Sequence, residues 1–156
     1  MLVQKSWKPL SLAAACVVLV AVTGLRPAPA SAPPGPEITV YKSPTCGCCK
    51  KWVEHLRGAG FQVTAHDTAD LDGVVARYRV PRSLTACHTA VVRGYVIEGH
   101  VPADLILRLL KERPRVAGIA VPGMPENAPG MDLPSSAPYD VLTFDRTGRT
   151  TVYATR

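Results

Sequence analysis

The feature that most limits what this chain can fold into is a change of hydrophobic period at Thr45-Cys46-Gly47-Cys48-Cys49-Lys50. Before it, Glu37-Ile38-Thr39-Val40-Tyr41 is β-branched and aromatic, the composition of a short buried strand. After it, Trp52, Val53, Leu56 and Ala59 recur at helical spacing from Cys49, with Lys50, Lys51, Glu54 and Arg57 mainly on other faces. Gly58 and Gly60 end that helix. A strand that turns through Lys42-Ser43-Pro44-Thr45 into a helix commits the chain to a βα unit with three thiols at its connection.

The alternation continues downstream. Residues 61–66 alternate at period 2 and predict a second strand, and Leu71, Val74, Val75 and Tyr78 mark a second helix that ends before Pro81. Residues 89–92 and 95–98 are two strands around Arg93-Gly94, a tight hairpin. Pro102 opens a third helix with Leu105, Ile106, Leu109 and Leu110 as its apolar stripe, and it ends before Pro114. Strands joined through a helix lie parallel by a right-handed crossover, and the hairpin adds antiparallel strands. The order β-α-β-α-β-β-α therefore predicts an α/β fold: a four-stranded mixed sheet with helices on both faces, thioredoxin-like. Beyond Pro114 the pattern dissolves. Residues 120–138 form a Pro/Gly/Met loop containing Pro122-Gly123-Met124-Pro125 and Pro129-Gly130-Met131. Residues 139–156 predict a terminal hairpin about Asp145-Arg146-Thr147-Gly148, docked on the main sheet because an isolated hairpin is only marginally stable.

The 156 residues suit one domain, here residues 37–156, preceded by a segment of different character. Lys5 and Lys8 form a positive start, residues 10–25 are almost unbroken apolar, and Arg26-Pro27-Ala28-Pro29-Ala30 supplies small residues at a cleavage site. Residues 1–30 thus read as a secretory signal peptide cut after Ala30, with export to the periplasm and no membrane insertion once it is removed. A cut after Ala32 would leave Pro33 next, a poor context. An uncleaved anchor needs about 20 apolar residues, and a lipid-modified Cys16 would close the apolar run, which instead continues through Val22. Residues 31–36, Ser-Ala-Pro-Pro-Gly-Pro, are a proline-rich extended leader. The whole chain has 18 basic and 12 acidic residues; without Lys5, Lys8 and Arg26 the balance is 15 to 12, a net charge of +3. No long basic run remains, and nucleic-acid binding is not indicated.

Export decides what the cysteines mean. Cys16 leaves with the signal, and Cys46, Cys48, Cys49 and Cys87 remain in an oxidising compartment where two disulfides have three connectivities. A bond between the neighbours Cys48 and Cys49 is strained, and Cys46 with Cys48 closes a very tight ring. Cys46 with Cys49 is the comfortable local pair. The start of a helix, with its dipole and with Lys50 and Lys51 nearby, favours thiolate, which serves metal binding and disulfide exchange alike. Cys46-Gly47-Cys48-Cys49 contains a Cys-x-x-Cys redox motif, but Cys48 fills a spacer position. A third thiol invites wrong pairings at a redox site and suits thiolates that bridge several soft cations. Cys87 precedes the third strand, where folds of this kind bring a loop against the first helix, and Cys87 with His88 is expected to face the three thiols. Pro81 is a candidate cis-proline of that loop, six residues before Cys87.

Soft thiolates favour Cu(I), with zinc the ordinary alternative. A tetrahedral four-cysteine zinc site usually takes two well-spaced pairs, which this triplet is not. Met124 and Met131 are candidate thioether donors because they lie in a Pro/Gly segment rather than on a helical face. His100, in Glu98-Gly99-His100-Val101-Pro102, is a candidate ligand just before a helix, with a structural turn as the competing role. His55 and His66 read as surface or packing residues.

These residues together resemble the CopG-like family of periplasmic metal-binding proteins. The resemblance runs through Tyr41-Lys42-Ser43-Pro44-Thr45-Cys46-Gly47-Cys48-Cys49-Lys50-Lys51-Trp52, Ser83-Leu84-Thr85-Ala86-Cys87-His88-Thr89-Ala90, Gly94-Tyr95-Val96-Ile97-Glu98-Gly99-His100-Val101-Pro102-Ala103 and residues 118–131, with no departure in the cysteines. It implies a thioredoxin-like fold and a role in copper homeostasis or resistance. It also implies copper held by Cys46, Cys48, Cys49 and Cys87 as a multinuclear cluster with redox activity, that of a copper-dependent oxidoreductase, and exchange with other periplasmic copper-handling proteins. Two other readings stay open: a thiol–disulfide oxidoreductase using Cys46 and Cys49, and a structural zinc domain that binds another envelope protein.

Overall fold

The computed structural model describes residues 34–156, so the expected signal peptide and the first part of the leader lie outside the described residues. The β-branched runs form strands and the 3.6-period runs form helices, in the order β1 (Glu37–Lys42), α1 (Gly47–Gly58), β2 (Gln62–Asp67), α2 (Leu71–Tyr78), a short 3₁₀ turn (Arg82–Leu84), β3 (His88–Val92), β4 (Tyr95–Glu98), α3 (Ala103–Glu112), β5 (Gly118–Ala120), β6 (Asp140–Phe144) and β7 (Thr150–Thr155). No helix among the described residues is long and apolar enough to cross a membrane.

All seven strands among the described residues belong to one mixed sheet in the order β2-β1-β3-β4-β5-β6-β7. β1 pairs parallel with β2 and β4 with β5, and the other neighbours are antiparallel. The expected four-stranded sheet is therefore corrected to seven. The cause is β5, three residues inside the stretch read as patternless, which joins the core strands to the terminal hairpin. At Gly118 an added Cβ would lie 2.0 Å from the Val96 carbonyl oxygen, so this strand approaches β4 closely only as glycine.

Strand alternation sorts the core into two layers. Ile38, Val40, Ala90, Val92, Ile97, Ile119 and Val141 pack with Trp52, Val53 and Leu56 of α1 and Leu105, Ile106 and Leu109 of α3. Val96, Ala120 and Phe144 pack with Val80 and Leu84 and with Val75 and Tyr78 of α2 on the other face. Each fully buried large apolar side chain contributes about 1.5–3 kcal/mol, so this double-faced burial is what holds a short strand such as β5 in place. The β3–β4 connection is the expected tight turn, with Arg93 and Gly94 both at positive φ (46° and 87°) as a type I′ turn requires. No peptide bond among the described residues is cis. Pro81 is trans and leads instead into the 3₁₀ turn, with φ −58° and ψ 134°.

Candidate metal centre

Cys46 is the N-cap of α1. Its backbone is extended, and its sulfur accepts the Cys49 N–H at 3.3 Å, where a Ser or Asp oxygen would ordinarily serve. One helical turn brings Cys46 and Cys49 to a Cα separation of 5.3 Å, and the two are joined in a disulfide. Cys48 and Cys87 are free thiols. Cys48 Sγ lies 3.4 Å from Cys46 Sγ, and Cys49 Sγ lies 3.5 Å from the Cys87 carbonyl oxygen. The antiparallel register sets Lys42, the last residue of β1, opposite His88, the first of β3. The residue before β3 thus meets the residues after β1, and all four sulfurs lie within 4.8 Å of one another.

Cys87 belongs to a second group with His88 and His100, both fully buried. Its sulfur is 3.4 Å from His88 Nδ1 and 3.3 Å from His100 Nε2. The other ring nitrogens face carbonyls: His88 Nε2 is 3.0 Å from the Gly99 oxygen and His100 Nδ1 is 2.8 Å from the Pro129 oxygen. A carbonyl only accepts, so those nitrogens carry the protons and leave bare nitrogens aimed at the Cys87 sulfur. A ligating histidine is commonly oriented by such a second hydrogen bond. Burial, helped by the neighbouring His100, pushes His88 down to about 3, and burial also lowers His100. Both rings are neutral at ordinary pH. Burial first, and then the adjacent Cys48, pushes the Cys87 thiol up to about 12. The thiolate-favouring surroundings expected from the helix start do not extend to Cys87, where desolvation wins.

Three features around the site were not legible from spacing. The Trp52 ring stacks near His88 (centroids 4.3 Å apart), anchored by Nε1–H donating to the Val101 carbonyl at 2.9 Å. Glu98 is fully buried, and its two oxygens accept the Ala86 N–H and the Thr89 hydroxyl, each at 2.7 Å. Its donors straddle Cys87-His88, so this one carboxyl closes the loop that carries both; burial pushes it up to about 7. The third is the packing of the 120–138 loop on α1. Gly130 (φ +87°) abuts the Trp52 backbone nitrogen and the Cys48 carbonyl, leaving no room for a Cβ, and Asp132 pairs with Lys51 at 3.7 Å. The only sequence hint to Glu98 was its place beside Gly99-His100.

The structure brings together Cys46, Cys48, Cys49, Cys87, His88 and His100. Met131 is half-buried and follows the Gly130 that abuts α1, whereas Met124 is 56% exposed. His66 stacks on Tyr41, and His55 Nε2 accepts the Ala103 N–H at 3.1 Å, so neither joins the cluster.

A family model described as "Protein of unknown function, DUF411" matches residues 84–131, a span that holds Cys87, His88, His100, Met124 and Met131. No curated protein matches. Two solved structures do, "Copper resistance protein copG- Form 1" and "Form 2", with TM-scores of 0.73 and 0.74. Each is 44% identical over 78% of this chain and 98% of its own.

Proposed function

Because the chain belongs to the family of the copper resistance protein CopG, we propose that it is a periplasmic copper-binding protein of copper homeostasis or resistance. The carrying observation is the mutual approach of four sulfurs within 4.8 Å, with two oriented histidine nitrogens beside them. Sulfurs that bind one soft ion at about 2.3 Å stand at most about 4.6 Å apart, so the four can share ions once the Cys46–Cys49 bond is cleaved and its two sulfurs move apart. Cys46, Cys48, Cys49 and Cys87 are the thiolate donors for Cu(I), His88 and His100 the nitrogen donors, and Met131, with Met124 if the loop folds inward, the thioether donors. Copper is the cargo, favoured over zinc because the donors are soft and crowded. The order β2-β1-β3-β4, with thiols at the first βα connection, supports the thioredoxin-like reading of the core. The signal-like residues 1–30 support export.

The disulfide sets a condition on binding. Cleaving the Cys46–Cys49 bond takes two electrons and two protons and yields two thiols, whose protons leave when a metal binds. Burial, which pushes the Cys87 thiol up to about 12, makes its proton reluctant to leave. Copper uptake is thereby tied to thiol redox state. The same bond favours a second reading, thiol–disulfide exchange through Cys46 and Cys49.

Cys48 separates the two, because a redox pair does not need it. Titration of the reduced protein with Cu(I) should load more than one ion per chain, with sulfur ligation and copper neighbours in X-ray absorption. Cys48→Ser should lower that stoichiometry. A Cys48→Ser protein that binds copper as the parent does rejects the cluster. Turnover of a disulfide substrate that is lost in Cys46→Ser, together with negligible copper affinity, establishes the second reading instead. Zinc as the metal found after purification without added metal would support a structural zinc domain.

A further inference from the structure

The end of the sheet far from the thiols gathers arginines. His88 and Glu98 lie at the site end of β3 and β4, and the turn at Arg93-Gly94 lies at the other. A cavity of about 310 Å³ is lined there by Arg77 and Arg79 from the end of α2, by Gly94, and by Arg146 of the β6–β7 turn. A second cavity, about 350 Å³, shares Gly94 and holds Arg93 and Arg113. No acidic residue lines either one. Among the described residues, Arg57, Arg108, Arg149 and Arg156 each pair with a carboxylate, whereas Arg77, Arg79, Arg93, Arg113 and Arg146 pair with none, as do Arg82 and Arg115 outside the two cavities.

Backbone geometry separates this cluster from an ordinary solvated face. Among the described residues, four non-glycine residues have positive φ, and three of them are Arg79 (55°), Arg93 (46°) and Arg113 (51°). The left-handed region is costly for an L side chain and is ordinarily filled by Gly or Asn. A cation near a helix C-terminus is favoured by the dipole, which suits Arg79 and Arg113. That preference is already met within the last turns by Arg77 and Lys111, at helical φ, and it does not touch Arg93. Like charges gathered without partners add a second cost. Both costs fall on the folded protein alone, and a glycine at each of the three positions would remove them.

We propose that the cavity lined by Arg77, Arg79 and Arg146 binds a soluble phosphate-bearing anion, with Arg93 and Arg113 strengthening its field from the adjoining cavity. Guanidinium forks pair with phosphate and carboxylate oxygens through charge-assisted hydrogen bonds. Three forks around one cavity match the tetrahedral oxygens and multiple charge of a phosphate, whereas a carboxylate offers two coplanar oxygens and one charge. The cavity also has room for the organic part of a phosphate ester.

The test uses the reduced, metal-free full chain, inorganic pyrophosphate as probe, and amide chemical shifts read at about 0.15 M salt, where weak surface pairing is screened. Saturable shifts should localise to Arg77–Arg79, Gly94 and Arg146. Arg79→Gly combined with Arg146→Ala should weaken binding about tenfold or more, as expected for the loss of charge-assisted bonds. Arg79→Gly alone, without anion, should melt at the parent's temperature or above, because it relieves the backbone. That separates lost binding from lost folding. Non-saturating shifts that extend to Arg57 and Arg108, or affinity kept within about twofold in the double variant, overturn the site. A glutamate-rich peptide that saturates the same amides more tightly than pyrophosphate overturns the phosphate assignment.

Discussion

At the scale of single residues, Glu98 illustrates how a site is held by a group that does not belong to it. Its carboxyl spans the two donors that bracket Cys87-His88, Ala86 N–H and Thr89 Oγ–H, from directly across the β3–β4 ladder. Glutamine can satisfy the same pair: its oxygen accepts from Ala86, and its amide donates to a Thr89 hydroxyl that has reversed its role. Alanine leaves the buried Thr89 hydroxyl and the part-buried Ala86 N–H without partners, at about 1–3 kcal/mol for the buried group and less for the other. Glu98→Gln should therefore change stability by less than about 1 kcal/mol and keep the parent's Cu(I) stoichiometry, while Glu98→Ala loses about 2–4 kcal/mol and binds less copper. Urea unfolding of the reduced, metal-free protein reads the first quantity and copper titration the second. Equal losses in both variants would show that the negative charge matters and not the hydrogen bonds.

At the scale of elements, the placement of α3 depends on a contact that no local pattern announces. Pro102 supplies no side-chain cap, and the Ala103 N–H is accepted instead by His55 Nε2 from α1. Burial lowers the His55 pKa below its ordinary 6.5, outweighing the opposing pull of Asp104 and Asp132. A group whose folded pKa is depressed adds stability that is present above its unfolded value and lost as pH falls through the folded one. From a pH above the unfolded value of 6.5 to one below it, parent stability should drop more than that of His55→Gln, whose amide oxygen accepts the same N–H without titrating. Denaturant melts at the two pH values measure the difference, and identical drops would remove His55 from the capping role. The loop over residues 120–138 has its own pin at Gly130, where a Cβ would stand 2.7 Å from the Trp52 nitrogen. Gly130→Ala should lift the loop and release the His100–Pro129 hydrogen bond, seen as a shifted His100 ring resonance. These two contacts mark where the sequence could be read and where it could not. The helices and the Arg93-Gly94 turn are written in local periodicity and turn chemistry. The approach of Cys87 to α1 follows from strand order, so both were legible. β5 is Gly118-Ile119-Ala120, buried on both faces and too short to show alternation, and Glu98, His55 and Gly130 act across long separations that spacing does not encode.

At the scale of the molecule, the consequence of β5 is that the terminal hairpin is part of the sheet that carries the site. Ala120 pairs with Glu98 on one side and Leu142 on the other, and the Val121 N–H donates to the Glu98 carbonyl at 3.0 Å. Phe144 is fully buried in the second core layer with Val96, Ala120 and Leu84, so the far end of the chain stabilises the strand that leads into His100. Phe144→Ala should cost about 3–5 kcal/mol, a large fraction of the roughly 5–15 kcal/mol that holds a domain together. Because no boundary separates hairpin from core in the sheet, the loss should be shared. In a Trp7→Phe background, Trp52 fluorescence and far-ultraviolet circular dichroism should unfold at one midpoint, and Phe144→Ala should lower both by the same amount. An appended hairpin would behave differently: dichroism would lose an early fraction while the Trp52 transition stayed where it was. Copper offers the complementary check, since a ligand that binds only the native state at about 100 times its Kd returns about 2.7 kcal/mol. Saturating Cu(I) should therefore recover most of the Phe144→Ala loss in both signals together, although the substitution lies in the core layer opposite α1.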